Sequence, residues 1–246
     1  MEIESKKEDI YKFILNKGKA TTKELSDLFS VSEQTIRKYL TELESDKLIN
    51  RFHGGAQRKS SFKERLLLNS ESKKKICKEA AKFIEDGDYL YIDGGTTYYY
   101  LIDYISNDIK VTIVTSSIPI AQKVMNETNN EVILLGGRVQ PITMETFSPK
   151  LLKEVSDMNF DKSFFGTSGF SLEKGITENN AYSIEMKKII SSNSKLNIIG
   201  GGSEKEGRIS FQKVFKFSDI DIFISNKDIS KDLKAYLKEN LRLILV

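Results

Sequence analysis

The chain has 246 residues, 39% of them hydrophobic, a formal net charge of +3 and a mean hydropathy of −0.35. That length holds one large domain or a small and a medium one, and no run approaches the roughly 20 apolar residues that cross a bilayer. The opening MEIESKKEDI lacks the apolar core of a secretory leader, the single Cys77 excludes an internal disulfide framework, and one cysteine with one histidine cannot build a structural zinc site. A cytoplasmic protein with no membrane association, no metal and no cofactor is expected. Basic and acidic residues number 38 and 35, so any affinity for nucleic acid must come from where particular side chains stand.

The first block reads as three short helices. Ser5-x-x-Glu8 forms a capping box ahead of an apolar stripe of Ile10, Phe13 and Ile14, and Gly18 stops that helix. Thr21-x-x-Glu24 caps a second helix with Leu25, Leu28 and Phe29 inward. Ser32 caps a third, with Ile36, Leu40 and Leu43 on its apolar face. The connection Phe29–Ser32 is as short as a helix-turn-helix requires. A strand over Lys47–Phe52 follows, and Gly54-Gly55 supplies a tight hairpin turn.

Gln57–Ser61 is small and polar, the start of a linker, and Phe62–Glu85 is mostly helical with a basic cluster at Lys73–Lys75. From Asp88 onward, short apolar runs alternate with helical patterns. The runs are Tyr89–Ile92, Val111–Val114, Val132–Leu135, Ser163–Phe165, Leu196–Ile199, Ile222–Ile224 and Leu241–Val246. The helices are Thr97–Tyr104, Ile118–Asn126, Ala181–Ser192 and Lys231–Asn240. Several runs are apolar throughout, as strands covered on both faces are, so a mostly parallel open sheet is predicted.

Ser32, Gln34, Thr35, Arg37 and Lys38 avoid the apolar stripe of the third helix and face outward. In a winged helix-turn-helix these positions meet base edges in the major groove, where Gln and Arg make bidentate contacts with adenine and guanine. Lys38, Arg51 and His53 suit phosphate oxygens, contacts that set register and make affinity salt-dependent. The order of cap, short turn, Ile-Arg-Lys helix and Gly-Gly wing resembles the DNA-binding domain of the DeoR family of bacterial repressors. That pattern stands here as ELSDLFSVSEQTIRKYLTELESDKLINRFHGGA. It departs at Lys38 and Tyr39, where the family has Arg and Asp. Lys38 keeps the charge and loses the planar fork, while Tyr39 adds a bulky amphipathic group over the wing.

Four loops of small residues follow strands in the second part: Asp93-Gly94-Gly95-Thr96-Thr97, Thr115-Ser116-Ser117, Gly136-Gly137-Arg138 and Gly166-Thr167-Ser168-Gly169. Glycines let a ligand approach the backbone, and a helix N-terminus with two hydroxyls favours an anion. None is a GxGxxG or P-loop motif. Loops at strand C-termini are expected to converge on one crevice. For Arg138 an ordinary surface salt bridge is an equal alternative.

This second part resembles the DeoR-type effector domain, a relative of ribose-5-phosphate isomerase and glucosamine-6-phosphate deaminase, through DGGTT, VTSS, LLGGR, FFGTSGF and GITENNAYSIEMKK. The resemblance implies a phosphorylated sugar as effector. Thr96, Thr97, Ser116 and Ser117 would hold the phosphate, Asp93 would accept from sugar hydroxyls, and Lys187 and Lys205 would be cations for the phosphate or a neighbouring carboxylate. Two departures stand out. The family's Asp-Ser-Ser-Lys turn is here Gly202-Ser203-Glu204-Lys205, which removes a carboxylate, and Ser148 replaces a more usual glycine.

Isomerase chemistry needs a placed general base. Asp93, Glu178 and Glu185 are the carboxylates expected near the crevice, and their spacing defines no catalytic pair. His53 belongs to the wing, and Cys77 sits among Ile76 and Ala80 as a buried thiol. The expectation is therefore a regulator, with residues 1–57 a winged helix-turn-helix, 58–72 a linker and 73–246 an effector-binding and oligomerisation domain. It would bind double-stranded operator DNA as a homo-oligomer, a dimer or tetramer, and repress a sugar-metabolism operon under control of a phosphorylated sugar. The linker around Gln57–Ser61 would carry the coupling. The alternatives are a sugar-phosphate isomerase or deaminase-like enzyme with an added interaction domain, and a DNA-binding protein whose second domain serves oligomerisation alone.

Overall fold

The computed structural model describes residues 2–246 other than Lys47, His53, Lys59 and Ser60. The chain divides into two compact units, Met1–Ser61 and Phe62–Val246.

In the first unit, α1 (Glu2–Lys17) runs into β1 (Lys19–Thr21), α2 (Thr22–Phe29) and α3 (Glu33–Ser45), and the hairpin β2 (Ile49–Phe52) and β3 (Gly55–Arg58) completes it. Ile10 and Ile14 from α1, Leu25 from α2, and Ile36, Leu40 and Leu43 from α3 close one core at i, i+3, i+4 spacing. The caps are made by side chains: Thr21 Oγ1 accepts from Glu24 N at 3.1 Å, and Ser32 Oγ accepts from Thr35 N at 3.2 Å. Three expectations are corrected. Helix α1 begins at Glu2, so Ser5 lies within it and not at its N-terminus. Leu28 points outward at 55% exposure, because Leu25 and Phe29 already fill the seam. Tyr39 is 6% exposed and belongs to the core that also holds Ile49 and Ala56 of the wing, so it is a packed residue and not a surface cover.

The wing glycines have separate reasons. Gly54 has φ +90° in the turn, a conformation that L side chains rarely adopt. Gly55 is already the first residue of β3, pairing with Phe52, and a Cβ there would stand 2.3 Å from Ala20 O. β1 pairs antiparallel with β3, so the wing is a three-stranded sheet.

The second unit starts with α4 (Phe62–Leu67) and α5 (Ser70–Ala80), followed by a short 3-10 turn. Most of the stretch 58–72 is thus helical, and Leu66 packs against the core of this unit. Seven parallel strands follow the seven apolar runs: β4 (Tyr89–Ile92), β5 (Thr112–Thr115), β6 (Glu131–Leu134), β9 (Phe160–Gly166), β12 (Ser194–Gly200), β14 (Ile222–Ser225) and β15 (Arg242–Leu245). Between β6 and β9 lie β7 (Arg138–Gln140), β8 (Glu145–Phe147) and α7 (Pro149–Ser156). Between β9 and β12 lie β10 (Gly169–Ser171), β11 (Gly175–Glu178) and α8 (Ala181–Ser192); β13 (Gln212–Phe215) precedes β14. The remaining helices are α6 (Ile118–Glu127) and α9 (Lys231–Asn240).

The strand order is β15-β14-β12-β9-β4-β5-β6. Alternate residues go to opposite faces, so Leu90, Ile92, Phe164 and Ile198 meet α5 and α6 while Tyr91, Phe165 and Ile199 meet α7, α8 and α9. From β4 the chain steps outward to β5 and β6, then returns to build the other half from β9. The order therefore reverses between β4 and β9, and crevices open at the C-terminal ends of strands beside such a reversal.

Three features of this unit depart from the sequence pattern. The expected α-helix over Thr97–Tyr104 is a 3-10 helix, Tyr98–Tyr104, whose run of aromatic and branched residues propagates an α-helix poorly. The antiparallel pair β7–β8 and the antiparallel sheet β10-β11-β13 were not evident as strands. Ser148, in place of the usual glycine, caps α7 by accepting from Lys150 N at 3.2 Å.

Candidate functional site

On the first unit, Ser32, Gln34, Arg37, Lys38 and Arg51 are exposed and Thr35 is half-buried; His53 lies outside the described residues. Arg37 Nη2 donates to Glu33 Oε2 at 2.7 Å, an i,i+4 pair in open solvent. Such a pair is worth a few tenths of a kcal/mol, roughly 0.3–0.5, so the guanidinium is held only weakly. Arg51 Nη1 donates to Thr41 Oγ1 at 2.8 Å, and Thr41 Oγ1 donates in turn to Arg37 O at 2.8 Å. Arg51 of the wing is thereby held against the same helix that carries Gln34, Arg37 and Lys38.

On the second unit a cleft of about 500 Å³ opens at the β4–β9 reversal. Asp93, at the end of β4, accepts from Gly166 N at 3.0 Å and so ties the two strand ends together. Lys187 of α8 enters from the side, with Nζ 3.0 Å from Asp93 Oδ2, 2.9 Å from Glu178 Oε2 and 3.1 Å from Gly166 O. Lys187 and Asp93 are 3% and 5% exposed, so this ion pair stands in a region of low dielectric. Burial works against the Lys187 charge, but Asp93 and Glu178 outweigh it and hold the ammonium above the ordinary lysine range. Burial pushes the Glu178 carboxyl up; Lys187 and the Ser168 hydroxyl outweigh that, and its value falls below normal. Ser168 Oγ donates to Glu178 Oε1.

Glu145 is the third carboxylate of this corner. Burial and then the Asp93 charge push it up to about 7. It arrives on β8, which lies across the end of β5: Thr146 N donates to Ser116 O at 2.9 Å, and Ile118 N to Met144 O at 3.0 Å. Gly94 makes room, since a Cβ there would stand 2.1 Å from Glu145 Oε1.

Four further cations, Lys73, Lys205, Arg65 and Arg208, line the same cleft. Burial and then Lys205 pull Lys73 down to about 8. Burial also lowers Lys205, against the opposing charge of Glu204. Lys73 Nζ donates to the carbonyls of Arg65 and Leu66, and Lys205 Nζ to Thr97 Oγ1 at 3.5 Å; neither makes an ion pair among the described residues. Arg65 Nη2 donates to Ile142 O at 2.8 Å, and its Nε is buried without a partner among the described residues. Cys77 supports the loop from below. Its buried thiol, pushed well up by burial, donates to Thr97 O at 3.0 Å.

Of the residues singled out in the sequence, Asp93, Gly95, Thr96, Thr97, Gly166, Thr167, Ser168, Glu178, Lys187 and Lys205 line the cleft. The others do different work. Thr115 Oγ1 donates to Ile92 O at 2.7 Å and accepts from Ser117 N, while Ser117 caps α6. Ser116 lies beneath β8 and borders only a small neighbouring hollow. Gly136 and Gly137 lead into β7, with Gly137 hard against Phe147 O, and Arg138 is exposed at the start of that strand. Gly169 lies in β10, where a Cβ would stand 2.3 Å from Arg208 O. Only two of the four loops therefore converge, because the β7–β8 pair occupies the space over the β5 end. Glu185 is exposed on α8, away from the cleft. Glu145, Arg65, Lys73, Glu204 and Arg208 were missed. Lys73 alone carried a signal, as the one lysine of its basic cluster in register with buried Ile76, Cys77 and Ala80.

A helix-turn-helix unit with a wing, followed by an α/β unit with a charged ligand cleft, defines a DNA-binding transcriptional regulator with a sensor domain. The model of the DeoR-like helix-turn-helix domain matches residues 6–62, and that of the DeoR C terminal sensor domain matches residues 68–227. The chain belongs to the DeoR family. It is 30% identical to the HTH-type transcriptional regulator YulB of Bacillus subtilis over 93% of this chain and 91% of that one. It is also 30% identical to the transcriptional repressor GlcR of Bacillus subtilis, over 89% and 86%, and to the glycerol-3-phosphate regulon repressor of Escherichia coli, over 86% of each. Among solved structures, ribose 5-phosphate isomerase A of Methanocaldococcus jannaschii aligns with 56% of the chain and 55% of its own, at 17% identity and a TM-score of 0.41.

Proposed function

We propose that this protein is a cytoplasmic repressor of a sugar-metabolism operon, and that a phosphorylated sugar bound in the second unit alters its affinity for operator DNA. The observation that carries the reading is the charged lining of the cleft. Lys73, Lys205, Arg65 and Arg208 supply cations suited to a phosphate, and Asp93, Glu145 and Glu178 around Lys187 supply acceptors suited to sugar hydroxyls. Thr96 and Thr97 line the same cleft. The names of two relatives, a repressor and a glycerol-3-phosphate regulon repressor, agree with it.

On the DNA side, α3 reads the major groove through Gln34 and Arg37, and Lys38 and Arg51 hold phosphates. Two half-sites one helical turn apart require at least a dimer. The effector then acts by linkage, favouring an arrangement of the oligomer that differs from the DNA-bound one. The protein binds its sugar phosphate without turnover.

Calorimetric titration of the full chain with a panel of phosphorylated sugars and their unphosphorylated counterparts is the test, with the same compounds added to an operator-binding assay. One phosphorylated member is expected to bind and to shift operator affinity. Heat without any shift in operator affinity would leave the cleft as a ligand site unconnected to repression, and product formation from any member would favour the isomerase reading instead.

A further inference from the structure

The turn after β12 holds a residue that neither the family pattern nor the sensor reading assigns. Gly202 has φ −66° and ψ 150°, extended backbone open to any residue, so its lack of a side chain is not a matter of backbone strain. A Cβ built on it would meet nothing nearer than Glu204, with Oε2 at 2.1 Å, Cδ at 2.8 Å and Oε1 at 2.9 Å. The Glu204 carboxylate is folded back into the place that a side chain at 202 would take. Its seat is firm: Lys205 N donates to Gly202 O at 3.0 Å, and Ser203 N donates to Asn226 Oδ1 at 3.1 Å. From there Glu204 faces the cleft together with Lys73, Lys205, Arg65 and Arg208. Glu204 is also the carboxylate whose charge acts most strongly on both lysines.

We propose that Glu204, seated over Gly202, is a built-in negative charge among the cations of the cleft that opposes an incoming phosphate, so that it sets the phosphate concentration at which the sensor responds. Buried Lys73 and half-buried Lys205 repel each other, and a tethered carboxylate offsets that repulsion. A phosphate adds charge-assisted hydrogen bonds with the same lysines. Its affinity is reduced by repulsion from the Glu204 carboxylate and by the neutralisation of the lysines that this carboxylate already supplies. The Gly202 and Glu204 pair thus acts as one unit: the glycine makes the seat and the glutamate fills it.

This inference rests on the cations of the cleft forming a phosphate site. The test uses the full chain and inorganic phosphate, titrated calorimetrically at pH 7. Glu204→Gln keeps the shape and removes the charge, and it is expected to tighten phosphate binding by about three- to ten-fold, the size of one partly screened charge interaction. Gly202→Ala keeps the charge but places a methyl group in the seat, and it is expected to tighten binding in the same direction. Lys205→Met is expected to abolish it. Phosphate binding that Lys205→Met abolishes and that neither Glu204→Gln nor Gly202→Ala strengthens would overturn the role of Glu204 and leave the phosphate site standing. No phosphate binding by the wild-type chain or any variant would overturn the phosphate site itself, and the role of Glu204 with it.

Discussion

The two units present their functional residues in opposite ways. On the helix-turn-helix unit Gln34, Arg37, Lys38 and Arg51 stand in solvent, each beside a weak partner or none that matters to the fold. In the sensor cleft Asp93, Glu178 and Lys187 are enclosed and hold each other's charges. An exposed surface can change residue by residue at little cost in stability. A buried constellation changes only as a set, since removing one member strands the others.

The strongest way to break this contrast is Lys187→Met. Met fills the volume but leaves Asp93 and Glu178 buried without a cation, at an expected cost of about 3–5 kcal/mol. Urea unfolding followed by hydrogen exchange should show protection lost across β4, β9 and α8 and retained in α3. A change below about 1 kcal/mol would mean that the cleft charges are less enclosed than the geometry indicates.

Arg37→Ala is the converse. Operator affinity measured by fluorescence anisotropy should fall by about 1–3 kcal/mol, with thermal stability moving by less than about 0.5 kcal/mol. Loss of stability as large as the loss of binding would remove Arg37 from the reading surface and make it a structural residue.

Glu145→Gln sharpens the comparison through pH. The folded-state value, raised to about 7 from an ordinary 4.5, means that the folded chain keeps a proton that the unfolded chain releases. The associated stability is fully present below about pH 4.5 and is lost as pH rises through about 7. Gln cannot ionise, so the variant should melt with wild type at about pH 4 and be more stable at about pH 8, by roughly 3 kcal/mol. Equal melting curves at both values would show that Glu145 is ionised throughout.

The smallest expected effect is that of Ser32→Ala, which removes the side-chain cap of α3. A loss of about 1 kcal/mol in stability is expected, with a similar loss in operator affinity if an ordered first turn is what presents Gln34. Full retention of both would show that the Ser32 hydroxyl contributes to neither.

Much of the first unit was legible in the sequence because its information is local. Caps, turn and stripe lie within four residues of their partners, and Ile36, Leu40 and Leu43 turn inward as their spacing indicates. What was not legible there involved competition for space: Leu28 exposed and Tyr39 buried are outcomes of packing three helices at once. In the second unit the seven apolar runs all became strands, because a strand covered on both faces has little choice of composition. The short antiparallel strands carry no such signature, and β8 escaped notice although it supplies Glu145.

Sequence alone indicated the helices and wing of the first unit, the seven parallel strands of the second, and the hydroxyls and glycines of the loop Asp93–Thr97. These follow from side-chain periodicity and from hydroxyls and glycines adjacent in the chain. Only the tertiary structure decided which groups share the cleft. Lys187 meets Asp93 across 94 positions and Lys205 meets Thr97 across 108, through a strand order that reverses at β4 and β9. Contacts at that separation follow from the order in which strands are laid down, and no periodicity records that order. The charge removed at Gly202 and the charge seated over it by Glu204 are two residues apart, yet their relation appears only when the turn is folded, because a glycine's empty space is visible only once something occupies it.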